Sequence, residues 1–325
     1  MTQTTTVYAS TDASAPVLNG TAGSMAALLD ACLVNGYGSK PGAGWSIAYT
    51  GINTRSYKTG RSGWNAYLYV GDTTATYASV AGYNNMGSAS DAGTNRFPPA
   101  VSMVGTVVNA YFSKSTTADS TARPWVLIAD QNTFYLFIET GALSASAIGP
   151  TAVGFGEFYS YRPSDTNNFF IAPCYGVANT YSSTLLHCEG YGVGSDGYRW
   201  LARNFSGQGP SIPYSQALHP CVGGTTLGIP SPAIVQPSPV DGTVSFFEVD
   251  IVEANQSNVT TNFLRGRLRG LWASGIALGA GETMSGAGVL AGRTFTGVAS
   301  ANKGINSAAS QCVVTVETSS TWDTN

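Results

Sequence analysis

Charge is what this chain has least of. Only 10% of its 325 residues are Asp, Glu, Lys or Arg, against roughly 25% in an ordinary soluble domain. Fifteen basic against eighteen acidic residues leave a net charge of −3. No basic run or stripe is present, which argues against binding nucleic acid through its phosphate backbone. Long apolar runs are missing too. The longer ones, such as PWVLIA and FYLFI, are far too short to cross a bilayer as helices, so no membrane partner is expected. The opening MTQTTTVYAS lacks the basic start and apolar stretch of a secretory signal. The expectation is a protein made and kept in the cytosol, or released by cell lysis.

Catalytic and metal-binding signatures are equally sparse. Histidine occurs only at His187 and His219. Neither has the local spacing of a zinc site with Cys188, Cys221 or Glu189, so no metal is expected. No serine has glycine at both −2 and +2, as a nucleophile elbow requires. The segment 287–294, AGVLAGRT, approaches a phosphate-binding loop but replaces its first Gly with Ala287 and its Lys with Arg293. Five cysteines, Cys32, Cys174, Cys188, Cys221 and Cys312, include no C-x-x-C pair. They read as free thiols, with a bridge between Cys174 and Cys188 as the alternative. No cofactor is expected, and no enzyme.

What is present is glycine (39 residues), aromatics, Ser, Thr and Ala at 43% hydrophobic overall. That composition excludes a charge-rich disordered chain and suits a mainly β protein. One segment is different. In 23–45, GSMAALLDACLVNGYGSKPGAGW, Met25, Leu28, Leu29, Cys32 and Leu33 recur at helical spacing and form one apolar stripe. Ser24 is placed to cap the start and Gly36 to end the helix with a positive φ. A glycine-rich loop then leads to Trp45. The spacing predicts a short helix from Met25 to about Asn35 that buries Leu28, Leu29 and Cys32, with Trp45 packed nearby.

Elsewhere the period is two. WNAYLYVGD and ATYASVAGY read as paired strands. RPWVLIADQNTFYLFIETG reads as a hairpin turning at Asp130, Gln131 and Asn132. Its arms, which include Trp125, are nearly continuous in apolar residues, so it is expected at the centre of the main sheet with both faces buried. Residues 162–165 (Arg-Pro-Ser-Asp) form a turn. Seven prolines between 207 and 242 mark a long loop. Glu248 and Asp250 fall on one face of a strand; a pair of this kind can serve a glycosidase, but the solvent face of a half-buried strand accounts for it. Tyr159, Tyr161 and Tyr191, near loops, are the candidate contacts to a glycan.

The resulting fold class is mainly β: antiparallel β-sandwich or barrel-like domains with one short N-terminal helix. Three regions are expected: an arm, helix and glycine-rich loop over 1–45, a β subdomain over 46–150, and a second over 151–325. The arm is a candidate to lie on a neighbouring subunit.

Five stretches carry a resemblance: 23–45, TARPWVLIADQNTFYLFIE, FGEFYSYRPSDTNN, RGRLRGLW and GETMSGAGVLAGRTF. Together they resemble an uncharacterised family of tailed-bacteriophage virion structural proteins, and they span most of the chain. The resemblance implies a particle-associated subunit, with itself and other virion proteins as partners. It brings no catalytic residues. The expected function is an exterior, oligomeric component of the tail, neck or baseplate. The alternatives are a capsid decoration protein, a module that binds host surface glycan, and a carbohydrate hydrolase. Leu28, Leu29, Cys32, Trp45 and Trp125 are the expected core or assembly residues.

Overall fold

The computed structural model describes residues 3–98, 110–140, 151–175, 182–183, 202–203, 205, 215–218, 244, 246–254, 262–274, 278, 281–298, 313–319 and 321–322. The chain is mainly β, built of antiparallel sheets packed face to face.

The turn of the hairpin Trp125–Ala129/Thr133–Ile138 is locally encoded. The Asp130 carboxylate accepts the N–H groups of Asn132 and Thr133, both at 2.8 Å, an Asx turn that reverses the chain. Register runs from Trp125 opposite Ile138 to Ala129 opposite Phe134. Thr6–Ala9 adds to one side, and Thr151–Glu157 followed by Phe169–Ala172 to the other, giving a five-stranded central sheet.

Strand side chains alternate between faces, and here both faces are apolar. Leu127, Ala129, Phe134, Leu136 and Ile138 join one buried cluster. Ile128, Tyr135 and Phe137 join another. A sheet on each side supplies the remainder. On one side lies an N-terminal sheet whose strands include Ser46–Gly51, Thr54–Lys58, Tyr67–Gly71, Tyr77–Tyr83 and Ala110–Ser113. It contributes Tyr57, Leu68, Val70, Val80 and Phe112 to the first cluster. On the other side, Phe246–Ala254, Asn262–Ser274, Thr294–Gly297 and Val313–Glu317 belong to a C-terminal sheet. From it Val249, Ile251, Leu271 and Val316 enter the second. The central sheet is therefore the middle of three layers, which is why its strands read as unbroken apolar runs.

The helix closes the first cluster. Met25, Leu28, Leu29, Cys32 and Leu33 are all fully buried. Its first half, Ser24–Leu29, is α-helical, and its second, Asp30–Asn35, widens to π geometry. Two details differ from the sequence reading. Ser24 does not cap the helix; its hydroxyl donates instead to the carbonyls of Asn19 (2.8 Å) and Thr21 (3.0 Å). The free N–H groups of Met25 and Ala26 are taken by Asp72, at 2.8 and 3.1 Å, a residue 47 positions away. Gly36 has the expected positive φ (78°), but its ψ of 169° lies outside the left-handed helical well.

The glycine-rich loop folds back on the helix end. Ala43 and Trp45 donate their N–H groups to the carbonyls of Cys32 and Leu33, each at 3.0 Å. Gly42 is required there, since a Cβ would collide with the Val34 carbonyl. Trp45 then enters the core. Its Nε1–H donates to the Asp130 carbonyl at 2.8 Å, and its ring meets Phe134 edge-on at 5.6 Å.

Strand pairing crosses the division expected at 150: Thr151–Glu157 pairs with Thr133–Ile138 and Cys174–Tyr175 with Ala110–Ser113. The first residues of the N-terminal arm pair within their own chain. Thr6–Ala9 is a strand of the central sheet, and Gln3–Thr4 pairs with Thr321–Trp322. Tyr8 is fully buried and donates its hydroxyl to the Pro41 carbonyl at 2.7 Å. Long-range pairing of this kind leaves no trace in local periodicity.

Cys32 and Cys174 are buried free thiols; Cys188, Cys221 and Cys312 lie outside the described residues. Burial pushes the Cys174 thiol up to about 12, which keeps it protonated and unreactive. Among the described residues, no helix is long and apolar enough to cross a membrane.

Candidate functional site

Among the described residues, a cleft lies where the loop 59–66 of the N-terminal sheet faces the turn 161–165. It encloses about 660 Å³, within the size range of small-molecule sites. Arg61 and Trp64 line one side, Tyr159, Tyr161 and Arg162 the other, and Asn168 lies between.

The turn is held from beneath. Tyr159–Ser160 pairs with the long strand Asn262–Ser274, Tyr159 opposite Arg267. Ser164 takes φ 60°, and Asp165 folds back to accept from the Ser160 hydroxyl at 2.8 Å and from the Asn167 N–H at 2.9 Å. Arg265, itself 1% exposed, then clasps Asp165 with two parallel bonds, Nε to Oδ2 and Nη2 to Oδ1, both 3.0 Å. Such a fork fixes orientation as well as distance. Behind Tyr159, the Arg267 guanidinium sits 4.9 Å from the ring centroid and pairs with Glu248. Tyr161 meets Tyr159 edge-on at 6.0 Å and keeps 42% of its surface exposed.

The opposite wall is tied to the same floor. Trp64 Nε1–H donates to Asn168 Oδ1 at 3.1 Å, and Asn168 Nδ2 donates to Glu157 Oε1 at 3.1 Å. Glu157 is completely buried beneath the cleft. It also accepts from Asn132 Nδ2 at 3.1 Å and pairs with Arg61. Burial raises its carboxyl above the usual range, opposed by the nearby Arg269 and Arg61. One polar atom of the lining is unmatched: Asn84 Oδ1 is buried without a hydrogen-bond partner.

This arrangement offers aromatic faces, amide groups and guanidinium donors. It does not offer a free carboxylate pair, because Asp165 and Glu157 are saturated by the bonds just described. Among the described residues, no group of three or more His, Cys, Asp or Glu is placed to hold a metal.

The structure brings Tyr159 and Tyr161 together in the cleft; Tyr191, His187 and His219 lie outside the described residues. Leu28, Leu29, Cys32, Trp45 and Trp125 are all buried in the first core cluster, away from the cleft lining. Glu248 is engaged by Arg267, and neither it nor Asp250 lines the cleft. Asp250 stands apart electrostatically: burial alone pushes its carboxyl up to about 6. The phosphate-loop near-match is a short 3-10 turn, Gly288–Leu290, and its Arg293 binds Glu317 at 3.0 Å.

Sequence reasoning missed Arg61, Trp64, Asn84 and Asn168. The only local hint was a Trp following Gly63 in a polar loop. No protein-family model matches this chain, and no curated protein matches it either.

Proposed function

We propose that this chain is a structural protein of a tailed-bacteriophage particle, an oligomeric β-rich subunit on the exterior of the tail, neck or baseplate. The observation that carries the reading is where the family-like stretches meet. Segment 23–45 reaches the central hairpin through Trp45 and the Asp130 carbonyl. The RGRLRGLW strand reaches the same hairpin through Arg269, whose Nη2 lies 2.5 Å from Asp130 Oδ2. It reaches the FGEFYSYRPSDTNN stretch through Arg265 and Asp165. The resemblance therefore follows the bonded frame of the fold and not an isolated motif. Low overall charge supports the same reading, since extensive neutral surfaces are easily desolvated in large assemblies.

The test is physical. Purified protein is sized by light scattering, and phage particles carrying a tagged copy are imaged with a gold-labelled antibody. Symmetric oligomers and label at one particle site are expected. A strictly monomeric protein that never enters particles refutes the proposal.

A further inference from the structure

We propose that the cleft between loop 59–66 and turn 161–165 binds an acidic saccharide, a sugar chain bearing a carboxylate. This goes beyond the structural role and does not rest on it.

Three observations converge. Sugar rings present apolar C–H faces and equatorial hydroxyls, so their sites pair aromatic surfaces with fixed amides. Here Trp64 and the half-exposed Tyr161 supply the surfaces from opposite walls. Both are anchored, Trp64 on Asn168 and Tyr161 on Tyr159, so little side-chain freedom is lost on binding.

The second observation is Asn84. Its buried Oδ1 lacks a partner, and leaving a buried acceptor unsatisfied is costly. The side chain belongs to a residue of the cleft lining, and a turn of its carboxamide would bring that acceptor, or its NH2 donor, to a sugar hydroxyl.

The third is Arg162, on the cleft rim. Arg55, Arg96, Arg123, Arg267 and Arg293 each pair with a carboxylate of this chain. Arg162 has no such partner among the described residues. Its guanidinium stacks over the Phe205 ring at 3.4 Å, which orients the plane while leaving its N–H edge to face a ligand. A planar fork of donors matches a carboxylate in two parallel bonds. One guanidinium beside aromatic faces selects an acidic sugar over a neutral one. In a chain of net charge −3, it does not make a nucleic-acid site.

The carboxylates beneath the cleft are committed to Arg265, Arg61 and the asparagines, so the site is built to hold a saccharide and not to cleave it.

The experiment titrates the full-length protein with oligogalacturonate and sialyllactose, using maltotriose and cellotriose as neutral controls. Saturation-transfer NMR and calorimetry provide the readout. Binding of at least one acidic probe is expected, weakened tenfold or more by Tyr161→Ala and by Arg162→Ala, with the melting temperature of both variants unchanged. Arg162→Lys should restore only part of the affinity, because an ammonium lacks the fork. No binding of either acidic probe, equal affinity for the neutral sugars, or wild-type affinity in both alanine variants overturns the proposal.

Discussion

Replacing Asp72 should expose how the helix is held. This side chain is fully buried and serves two structures at once. Oδ2 accepts the Met25 and Ala26 N–H groups. Oδ1 pairs with Lys114, whose side chain is equally buried and also donates to the Thr21 carbonyl at 2.6 Å. Burial pushes the Asp72 carboxyl up and the Lys114 ammonium down, and each holds the other charged against that pressure. Removing a helix cap costs about 0.5–2 kcal/mol. Breaking a buried pair from one side costs about 3–5 kcal/mol, because the remaining charge stays unpaired. Asp72→Ala should therefore lose roughly 4–7 kcal/mol, a large part of the ~5–15 kcal/mol that holds a typical domain folded.

Two companions separate the causes. Asp72→Asn keeps an acceptor for the helix but removes the charge. Asp72→Ala combined with Lys114→Met removes the cap and the stranded ammonium together. The double variant should be more stable than Asp72→Ala alone, by about 2 kcal/mol or more. Urea unfolding followed by tryptophan fluorescence measures all four proteins. If the double variant is no better than Asp72→Ala, or Asp72→Asn matches wild type, the buried-charge reasoning is wrong.

Other consequences are simpler. Leu29→Ala deletes a fully buried side chain and should cost about 2–5 kcal/mol. Glu248→Ala, which breaks a half-exposed pair, should cost no more than about 1 kcal/mol; thermal melts compare the two. Gly42→Ala drives a Cβ into the Val34 carbonyl, so the loop must leave the helix end and the melting temperature should fall by several degrees. Burial pushes the Asp250 carboxyl up to about 6, from an ordinary value of 3.8. The native state therefore binds the extra proton between those values, and stability falls as pH rises through that window. Asp250→Asn should gain about 1 kcal/mol at neutral pH, discounted for the water that reaches this side chain. It should gain nothing near about pH 3.5, and urea midpoints at the two pH values check the difference.

Local chemistry was readable, and long-range chemistry was not. The helix announces itself by spacing and the central hairpin by an Asp-led turn between apolar arms, because both signals sit within twenty residues or so. RGRLRGLW stood out in the sequence only through the resemblance it helps to carry. In the fold Arg265 and Arg269 are almost wholly buried, since their acceptors Asp165 and Asp130 lie 100 and 139 residues away. Nothing near either arginine indicates that. The same holds for the helix cap, which a local rule assigned to Ser24 and the fold assigns to Asp72. Of the cleft, Tyr159 and Tyr161 were visible as aromatics beside a turn. Trp64 and Asn84 belong to it only through the packing of two sheets.

That packing leads to a last prediction. Apolar faces attract without direction, so burial alone does not decide how the C-terminal sheet sits on the central one. Directional pins do. Arg269 reaches Asp130 at one hairpin turn, and Arg265 reaches Asp165 at the turn that carries Tyr161 and Arg162. The second pin therefore sets a sheet contact and the shape of the cleft together. Arg265→Lys keeps the charge but cannot reproduce the two parallel bonds. The variant should still fold, because the apolar layers are untouched, yet the turn should loosen. Hydrogen exchange followed by mass spectrometry should show faster exchange across residues 161–168 and unchanged protection in Trp125–Ala129. Unchanged exchange across the turn would mean that its shape is fixed by Ser160 and the local Asp165 bonds alone, and that Arg265 acts only between the sheets.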